Sequence, residues 1–472
     1  MTRPPFRLPF YFLLILLLAG TAHADAERST ELAEQRLTDL IAAINSDDDE
    51  VRRRFVETAY AADANVEELT EQLGRIKRLT GGVDLHGEVE VSDDGVSALV
   101  RNRGDQLWVR LGLGLASGLL TEVRLEVTSP PRDLDGPRLD RAGLIAALET
   151  SLDGFSGAID LRRGDDVLFQ HATGLASRRF SVPNRLDTRF NLGSMNKMFT
   201  AVAIAKLVEA GTLDYDDRLI DHLPDYPRHD GVEDITIHHL LTHTSGFGSY
   251  WEPLFAANFT EIRSHTALLA LTADQPLDFA PGSRFGYSNT GYVALGRIIE
   301  VVTGDDYFDH VREHVFEPAG MHDTDSWAYD DVVPDLATGY TREQRGQGAW
   351  RSNVFQHAVK GCAAGGGYAT VGDLQRFASA LWGDRLVSAA TRQRLHTVNT
   401  AGSRPTGYGY GFGIRGEGAL SSIGHNGGAP GINGELKHYP ELDITVAILA
   451  NESRAATRLL RRVEELLARF EG

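Results

Sequence analysis

The sequence predicts an α+β protein built from two domains, and three observations support this fold class. Residues 25–128 place helix-period segments first and strand-period segments after them. A stiff, polar stretch with adjacent prolines follows at residues 129–140. In residues 141–472, strand-like runs lie near both ends and helical segments lie between them. Helices and strands segregated in this way form a sheet with helices packed on it. The strands at the two ends of the second domain must therefore meet in one sheet around a helical insertion.

Residues 1–24 have the pattern of a cleaved signal peptide. Arg3 and Arg7 form a basic region, residues 10–19 are an uninterrupted apolar run, and Ala22-His23-Ala24 supplies the small residues that signal peptidase requires. The apolar run is about half of the roughly 20 residues that a membrane-spanning helix needs, so we favour cleavage over an uncleaved anchor. We expect a mature protein that begins near Asp25, is periplasmic or secreted, and keeps no stable membrane insertion.

The first domain, residues 25–128, is predicted to be a small α+β accessory unit. Ser29 and Thr30 are typical N-cap residues ahead of a first helix, and a second helical stretch stops at Gly81-Gly82. Period-two alternation then begins at Val83 and continues through four strand-like runs joined by turns. In element order this domain resembles the cone-shaped nuclear-transport-factor or cystatin-like domains. It carries no cluster of catalytic residue types, so an accessory or substrate-positioning role is expected.

The second domain, residues 141–472, is predicted to begin with a helix and a strand hairpin. Residues 194 to about 382 are mostly helical pieces and loops. The final segment carries apolar side chains on one helical face. Strand-like runs occupy residues 157–162, 166–172, 408–414, 420–424 and 434–449.

The composition limits the partners of the chain. The formal net charge is −19, and 42% of the residues are hydrophobic and 24% charged, as in a soluble globular protein. The negative charge repels nucleic acid and anionic membrane surfaces, so neither is an expected partner. The one cysteine, Cys362, excludes an intramolecular disulfide and is expected to be a buried small residue. We expect a small-molecule or peptide substrate.

Ser194 and Lys197 form the first candidate catalytic pair. They lie three apart, so they share one face of a helix. A serine hydroxyl needs a neighbouring base, and a lysine becomes one when burial lowers its pKa. Residues 199–207 are mostly apolar, which predicts a buried helix with the lysine at its start. A serine in the first helical turn also places its backbone N–H near developing negative charge.

Two further clusters carry groups that suit acyl transfer. Tyr287 and Asn289 lie two apart in a predicted extended loop, so a phenol for proton transfer and an amide for hydrogen bonding point the same way. His425, Gly427 and Gly428 follow in a glycine-rich strand. The small residues allow a substrate backbone to approach, the N–H of Gly428 can complete an oxyanion hole, and His425 can bind or polarise the substrate. Taken singly, each cluster is also compatible with an ordinary glycine-rich turn.

Taken together, the three clusters occur in the order Ser-x-x-Lys, Tyr-x-Asn and His-x-Gly. This set resembles the active-site motifs of serine β-lactamases and penicillin-binding proteins. The Tyr-x-Asn form is similar to the branch of class C β-lactamases, D-aminopeptidases and carboxylesterases. The resemblance runs from about residue 141 to the C-terminus and includes residues 188–200, 235–247, 365–373 and 408–412. It implies an antiparallel sheet flanked by helices, no cofactor, catalysis by Ser194, Lys197 and Tyr287, and substrate binding by Asn289, His425, Gly427 and Gly428.

One position departs from the β-lactamase pattern. The third motif of those enzymes begins with a lysine that helps to hold the substrate carboxylate, whereas this chain has His425. The resemblance therefore implies a serine hydrolase that cleaves an ester or amide through an acyl-enzyme on Ser194, with little β-lactam hydrolysis. The alternatives are a D-Ala-D-Ala carboxypeptidase or β-lactamase, and a non-catalytic penicillin-recognising sensor. His238, His239 and His243 have no carboxylate at ligand spacing beside them, so no metal site is predicted.

Overall fold

The computed structural model of the chain describes residues 26–92, 95–104, 106–131, 134, 136–257, 259–342, 348–399, 407–416 and 418–472. The predicted signal peptide, residues 1–24, lies outside them. The chain divides into two compact units, Met1–Pro130 and Pro131–Gly472. This division falls inside the predicted linker, residues 129–140. Among the described residues, no helix has both the length and the apolar character needed to cross a membrane.

The first unit packs helices on an antiparallel sheet. Its core lies between the two layers and includes Leu37, Phe55 and Leu111. The elements are α1 Ala26–Asn45, α2 Asp49–Ala59, α3 Val66–Thr80, β1 Val83–Ser92, β2 Gly95–Asn102, β3 Trp108–Ala116 and β4 Leu119–Val127. Within the described residues, the sheet has four strands in the order β1-β2-β3-β4. The order of helices before strands agrees with the sequence prediction.

One local prediction for this unit is wrong, and one helix was missed. Helix α1 continues through Ser29 and Thr30, so these residues do not cap its start. A serine or threonine inside a helix costs only roughly half a kcal/mol relative to alanine, which the packing of α1 on the sheet outweighs. Helix α2 was not predicted, although its buried residues Arg52, Phe55, Val56 and Ala59 recur at helical spacing, because the charged Arg52 weakens the apolar pattern. Asp48 begins α2 by accepting a hydrogen bond from the N–H of Glu50 at 2.9 Å.

The second unit is built on a large antiparallel sheet. Its strands are β5 Gly157–Arg163, β6 Asp166–Thr173, β7 Leu175–Ser177, β8 Val182–Pro183, β9 Phe190–Asn191, β10 Tyr340–Arg342, β11 Trp350–Ser352, β12 Tyr368–Ala369, β13 Gly407–Tyr408, β14 Gly413–Arg415, β15 Ser422–Ala429, β16 Ile432–Tyr439 and β17 Ile444–Ala450. Within the described residues, seven of them form the sheet β13-β14-β15-β16-β17-β5-β6. Strand β17 pairs with β5 from Ile444↔Arg163 to Ala450↔Gly157. Strands from the two ends of the unit therefore lie side by side, as predicted.

Helices occupy most of the chain between the two groups of strands. They are α4 Arg141–Ser151, α5 Asn196–Glu209, α6 Leu219–His222, α7 Ile237–Leu241, α8 Trp251–Ala256, α9 His265–Ala270, α10 Asn289–Thr303, α11 Tyr307–Val311, α12 Glu317–Ala319, α13 Val371–Trp382, α14 Ala389–Leu395 and α15 Ala455–Ala468. A 3-10 turn, Gly193–Met195, leads directly into α5. A π-helical segment, Arg312–Phe316, continues α11.

The large sheet separates two hydrophobic cores. Alternate residues of β17 point to opposite faces, as a period of two requires. Ala447 and Leu449 belong to the core that contains α5 and the helical region, whereas Val446 and Ile448 belong to the core formed with α4 and α15. Helix α5 lies in the first of these cores, and its side chains are buried almost all round. The three sequence motifs border this core.

Candidate active site

Ser194 lies in the tight turn immediately before α5. The turn begins at Gly193, whose φ of +51° is readily adopted only by glycine. Backbone hydrogen bonds fix it on both sides. The N–H of Leu192 donates to the carbonyl of Gly367 at 2.7 Å, and the N–H of Gly366 donates to the carbonyl of Gly193 at 3.0 Å. The position of Ser194 is therefore set by main-chain contacts that do not involve its own side chain.

Lys197 is completely buried in the first turn of α5. Its Nζ donates to Asn289 Oδ1 at 2.8 Å and to the carbonyl oxygen of Ala364 at 2.5 Å. Both acceptors are neutral, so they satisfy the amine without supplying an opposite charge. Burial lowers the pKa of Lys197 from 10.5 to about 7, and the nearby thiol of Cys362 partly opposes this shift. The result is an amine that is substantially unprotonated at neutral pH, as a general base must be.

The Tyr-x-Asn cluster lies where a loop enters α10. Ser288 caps this helix by accepting a hydrogen bond from the N–H of Gly291 at 2.9 Å. Asn289 is therefore the first residue of a helix, and the prediction that it lies in an extended loop is wrong. Its side chain still reaches Lys197, and its Nδ2 donates to Ser249 Oγ at 3.2 Å. Asn289 thus ties the lysine to the loop that contains Ser249.

Tyr287 contacts both members of the first pair. The hydroxyl of Ser194 lies close enough to the Tyr287 hydroxyl to influence its pKa. The Nζ of Lys197 lies 4.9 Å from the centre of the Tyr287 ring. Burial raises the pKa of Tyr287 above its ordinary value of 10, and the nearby hydroxyl of Ser194 opposes that rise. At neutral pH the phenol therefore keeps its proton. The structure brings the three predicted catalytic residues together, with Lys197 buried and Ser194 and Tyr287 partly exposed.

The third cluster lies on β15, beyond the stretch of that strand that pairs with β14. There the strand packs against the turn that carries Ser194. A Cβ added at Gly427 would collide with the carbonyl oxygen of Leu192, and a Cβ added at Gly193 would lie 2.8 Å from the amide nitrogen of Gly428. Neither position leaves room for a side chain. The backbone segments that carry the N–H groups of Ser194 and Gly428 therefore approach each other closely, as the two donors of an oxyanion hole must.

His425 is buried, and both of its ring nitrogens already have protein partners. Nδ1 lies 2.5 Å from the carbonyl oxygen of Asn426 and must donate to it. Nε2 lies 2.9 Å from the hydroxyl of Tyr408 and accepts from it. Burial, aided by the neighbouring Lys197, lowers the pKa of His425 to about 3, so the ring is neutral. In this geometry His425 offers a substrate neither a positive charge nor an unused N–H.

The clustered histidines make separate contacts. His238 Nδ1 lies 2.7 Å from the hydroxyl of Tyr410. His239 Nδ1 accepts a hydrogen bond from the N–H of Thr236 at 3.3 Å. His243 packs against Tyr287 instead. Within the part of the chain that the structure describes, no three His, Cys, Asp or Glu side chains are grouped as a metal ion would require.

Sequence reasoning missed two groups that complete the site. The carbonyl of Ala364 has no sequence signature, because any residue supplies a carbonyl. The neighbouring glycines carried a signal, since a Cβ at Gly365 would lie 2.8 Å from the carbonyl oxygen of Gly193. Tyr408 belongs to a segment that resembles the family, yet no role was predicted for this residue. Its contact with His425 depends on the pairing of β13 with β14, and of β14 with β15.

The second unit matches one known protein family. A family model described as Beta-lactamase covers residues 144–469, which is more than half of the chain. The chain belongs to the β-lactamase family. It is a serine hydrolase of that family, as the sequence motifs predicted. The match begins after the first unit, so the family assignment concerns the second unit.

The relatives similar to this chain include a penicillin-binding protein and an esterase. Penicillin-binding protein 4* of Bacillus subtilis (strain 168) is 29% identical over 335 residues, which are 66% of this chain and 72% of that protein. Esterase EstB of Burkholderia gladioli is 37% identical over 206 residues, 39% of this chain and 52% of that protein. The solved structure of a penicillin binding protein from Bacillus halodurans has a TM-score of 0.64 and 33% identity, covering 68% of this chain and 99% of that one. The predicted fold class is confirmed.

Proposed function

We propose that this β-lactamase-family protein hydrolyses a neutral ester or amide through an acyl-enzyme on Ser194. The observation that carries the proposal is the group of Ser194, Lys197 and Tyr287, in which the buried lysine has a pKa of about 7. The serine hydroxyl lies near that of the tyrosine, and the lysine Nζ lies 4.9 Å from the centre of the tyrosine ring. An unprotonated amine near a serine hydroxyl is the arrangement that nucleophilic catalysis needs. The name of one relative, esterase EstB, agrees with ester cleavage.

In the acylation step, Ser194 Oγ forms a bond to the substrate carbonyl carbon. Its proton passes to Lys197 Nζ, directly or through the hydroxyl of Tyr287. Because burial raises the pKa of Tyr287, the phenol begins protonated and acts as a relay, while Lys197 is the resting base. The N–H groups of Ser194 and Gly428 stabilise the negative charge that develops on the carbonyl oxygen.

The tetrahedral intermediate then loses its leaving group. The bond from the carbonyl carbon to the leaving oxygen or nitrogen breaks, and the leaving group takes a proton from Tyr287, which Lys197 replaces. In deacylation a water molecule gives a proton to the same pair and attacks the acyl carbon. Ser194 Oγ departs and recovers its proton. The steps balance without a cofactor.

The substrate class follows from the third motif. His425 is neutral and both of its nitrogens are engaged, so this position offers no cation to a substrate carboxylate. A D-Ala-D-Ala carboxypeptidase or a β-lactamase acts on an anionic substrate, so neutral acyl compounds fit this site better. We further propose, from residues 3–24 of the sequence, that the protein is exported and encounters its substrate outside the cytoplasm.

The test is Ser194→Ala, assayed by hydrolysis of p-nitrophenyl butyrate and by labelling with a fluorophosphonate probe. Loss of the nucleophile should lower kcat by roughly 10⁵-fold or more and abolish labelling, while circular dichroism stays unchanged. Ser352→Ala, on exposed β11, is the matched control and should keep wild-type rates. Near-native turnover by Ser194→Ala would overturn the proposal. A wild-type protein that is labelled but turns over no ester or amide would be the sensor instead.

A further inference from the structure

His243 holds the loop that carries Tyr287 from both sides. Its carbonyl oxygen accepts a hydrogen bond from the N–H of Gly286 at 2.8 Å. Its ring Nδ1 accepts another from the N–H of Ser288 at 3.1 Å. Gly286 and Ser288 are the residues immediately before and after Tyr287. One residue therefore fixes the amide groups that flank the tyrosine.

The ring of His243 also packs directly on the ring of Tyr287. Their centres are 4.2 Å apart and the two planes are tilted by 35°. On its other sides the His243 ring contacts Tyr408 and Tyr292, with centres 4.7 and 5.1 Å away. His243 is completely buried among these rings. Movement of the Tyr287 ring towards His243 is therefore blocked.

The backbone of His243 is held in an uncommon conformation. Its φ is +59°, a region that residues other than glycine seldom adopt, although Asn, Asp and His are enriched among those that do. This conformation allows the carbonyl and the ring of the same residue to reach Gly286 and Ser288. Because Nδ1 accepts a hydrogen bond, the ring is neutral and its proton is on Nε2. Such local strain persists where the surrounding contacts determine it.

We propose that His243 is a positioning residue that holds the Tyr287 hydroxyl against Ser194. The inference rests on the proposed function, in which that hydroxyl relays the serine proton. The hydroxyl lies at the far end of the tyrosine side chain, so a small rotation of the flanking peptides displaces it appreciably. A displacement of about 1 Å at a catalytic group costs roughly 10²-fold in rate.

Two substitutions separate the contacts of His243. His243→Asn keeps a side-chain acceptor for the N–H of Ser288 and tolerates a positive φ, but removes the ring. His243→Leu removes the acceptor and the aromatic ring. The matched control is His357→Asn, another buried histidine, whose contacts are the carbonyl of Ala358 at 2.7 Å and the ring of Tyr329. We expect kcat on p-nitrophenyl butyrate to fall about 100-fold in His243→Leu and less than about tenfold in His243→Asn, with KM within about threefold of wild type.

The decisive measurement is made in the Tyr287→Phe background. There the relay hydroxyl is absent, so His243→Leu should lower kcat no further. All rates are referred to the folded fraction, measured by circular dichroism. If the kcat of His243→Leu equals that of His357→Asn, His243 has no positioning role. The same conclusion holds if His243→Leu lowers kcat in the Tyr287→Phe background by as much as it does in the wild type. If instead Tyr287→Phe retains wild-type kcat, the proposed role of Tyr287 fails, and that outcome is distinct from failure of His243 alone.

Discussion

Replacing Asn289 by aspartate should move the acidic limb of the pH–rate profile upward. In the wild type, kcat/KM should fall as the pH drops through about 7, because protonated Lys197 cannot accept the serine proton. Asn289→Asp has nearly the same shape but places a carboxylate where Oδ1 now lies, 2.8 Å from Nζ. An opposite charge favours the charged form of the lysine and therefore raises its pKa.

The size of the shift follows from this distance. Two unit charges 2.8 Å apart attract each other by roughly 6 kcal/mol at an effective dielectric near 20, before the cost of desolvating the new carboxylate. After that cost, an adjacent opposite charge shifts a pKa by about 1–3 units. The midpoint should therefore move from about 7 to between about 8 and 10. At pH 7 the unprotonated fraction, and with it kcat/KM, should fall roughly 5- to 500-fold and recover as the pH is raised.

The assay is kcat/KM on p-nitrophenyl butyrate from pH 5 to 10, followed at the isosbestic wavelength of p-nitrophenol and corrected with Ser194→Ala as the blank. Asn289→Ser removes the amide without adding charge and serves as the control. Its midpoint should stay at or below that of the wild type. An unmoved midpoint in Asn289→Asp, or a loss of rate that no increase in pH restores, would refute the assignment of Lys197 as the base.

Three further outcomes are expected. Gly427→Ala should lower kcat on esters by roughly 10²-fold or more, with little change in secondary structure by circular dichroism. The reason is that the added Cβ collides with the carbonyl oxygen of Leu192 and separates the N–H groups of Ser194 and Gly428. A chain that starts at Leu134 should fold and hydrolyse small esters, because Leu134 packs on the core that contains α4 and α15 and the N–H of Leu139 donates to the carbonyl oxygen of Arg469. An insoluble product would contradict this expectation. Wild-type kcat/KM should be higher on short p-nitrophenyl esters than on nitrocefin, and His425→Lys should raise the ratio of kcat/KM on nitrocefin to kcat/KM on esters by about tenfold. If either result fails, the account of the third motif is wrong.

The sequence predicted the parts of the fold that depend on strong periodicity or on turn chemistry. Helix α3 ends at Gly81, which adopts φ +71° as a left-handed C-cap, and the sequence places the end there. The run at residues 434–449 was recognised as strand, but it contains two strands, β16 and β17, joined by a turn. The turn contains Pro440 and Asp443, residue types that mark turns, but the prediction treated the run as one strand.

The candidate site was predicted only in part. Ser194 and Tyr287 could be found from residue type and spacing, because their side chains carry the reactive groups. The geometry around them depends on long-range contacts. The prediction that His425 binds or polarises the substrate did not include Tyr408, whose hydroxyl lies 2.9 Å from Nε2 of the histidine. The sequence analysis assigned His243 no role, and only the fold shows that this residue holds the loop that carries Tyr287.

The pairing of β5 with β17 determines when the second unit can fold during synthesis. About 280 residues separate the two strands in the chain, so this contact closes a very long loop and folding is expected to be slow. Until residue 444 has emerged from the ribosome, β5 can pair only with β6, and its other edge has no partner strand. Ile159 and Leu161 then have a paired strand on one side only. A nascent chain therefore cannot complete the sheet piece by piece from its N-terminal side. The unit remains open to chaperones and proteases until residues 444–450 have been made, and the sheet can then close in a single late event.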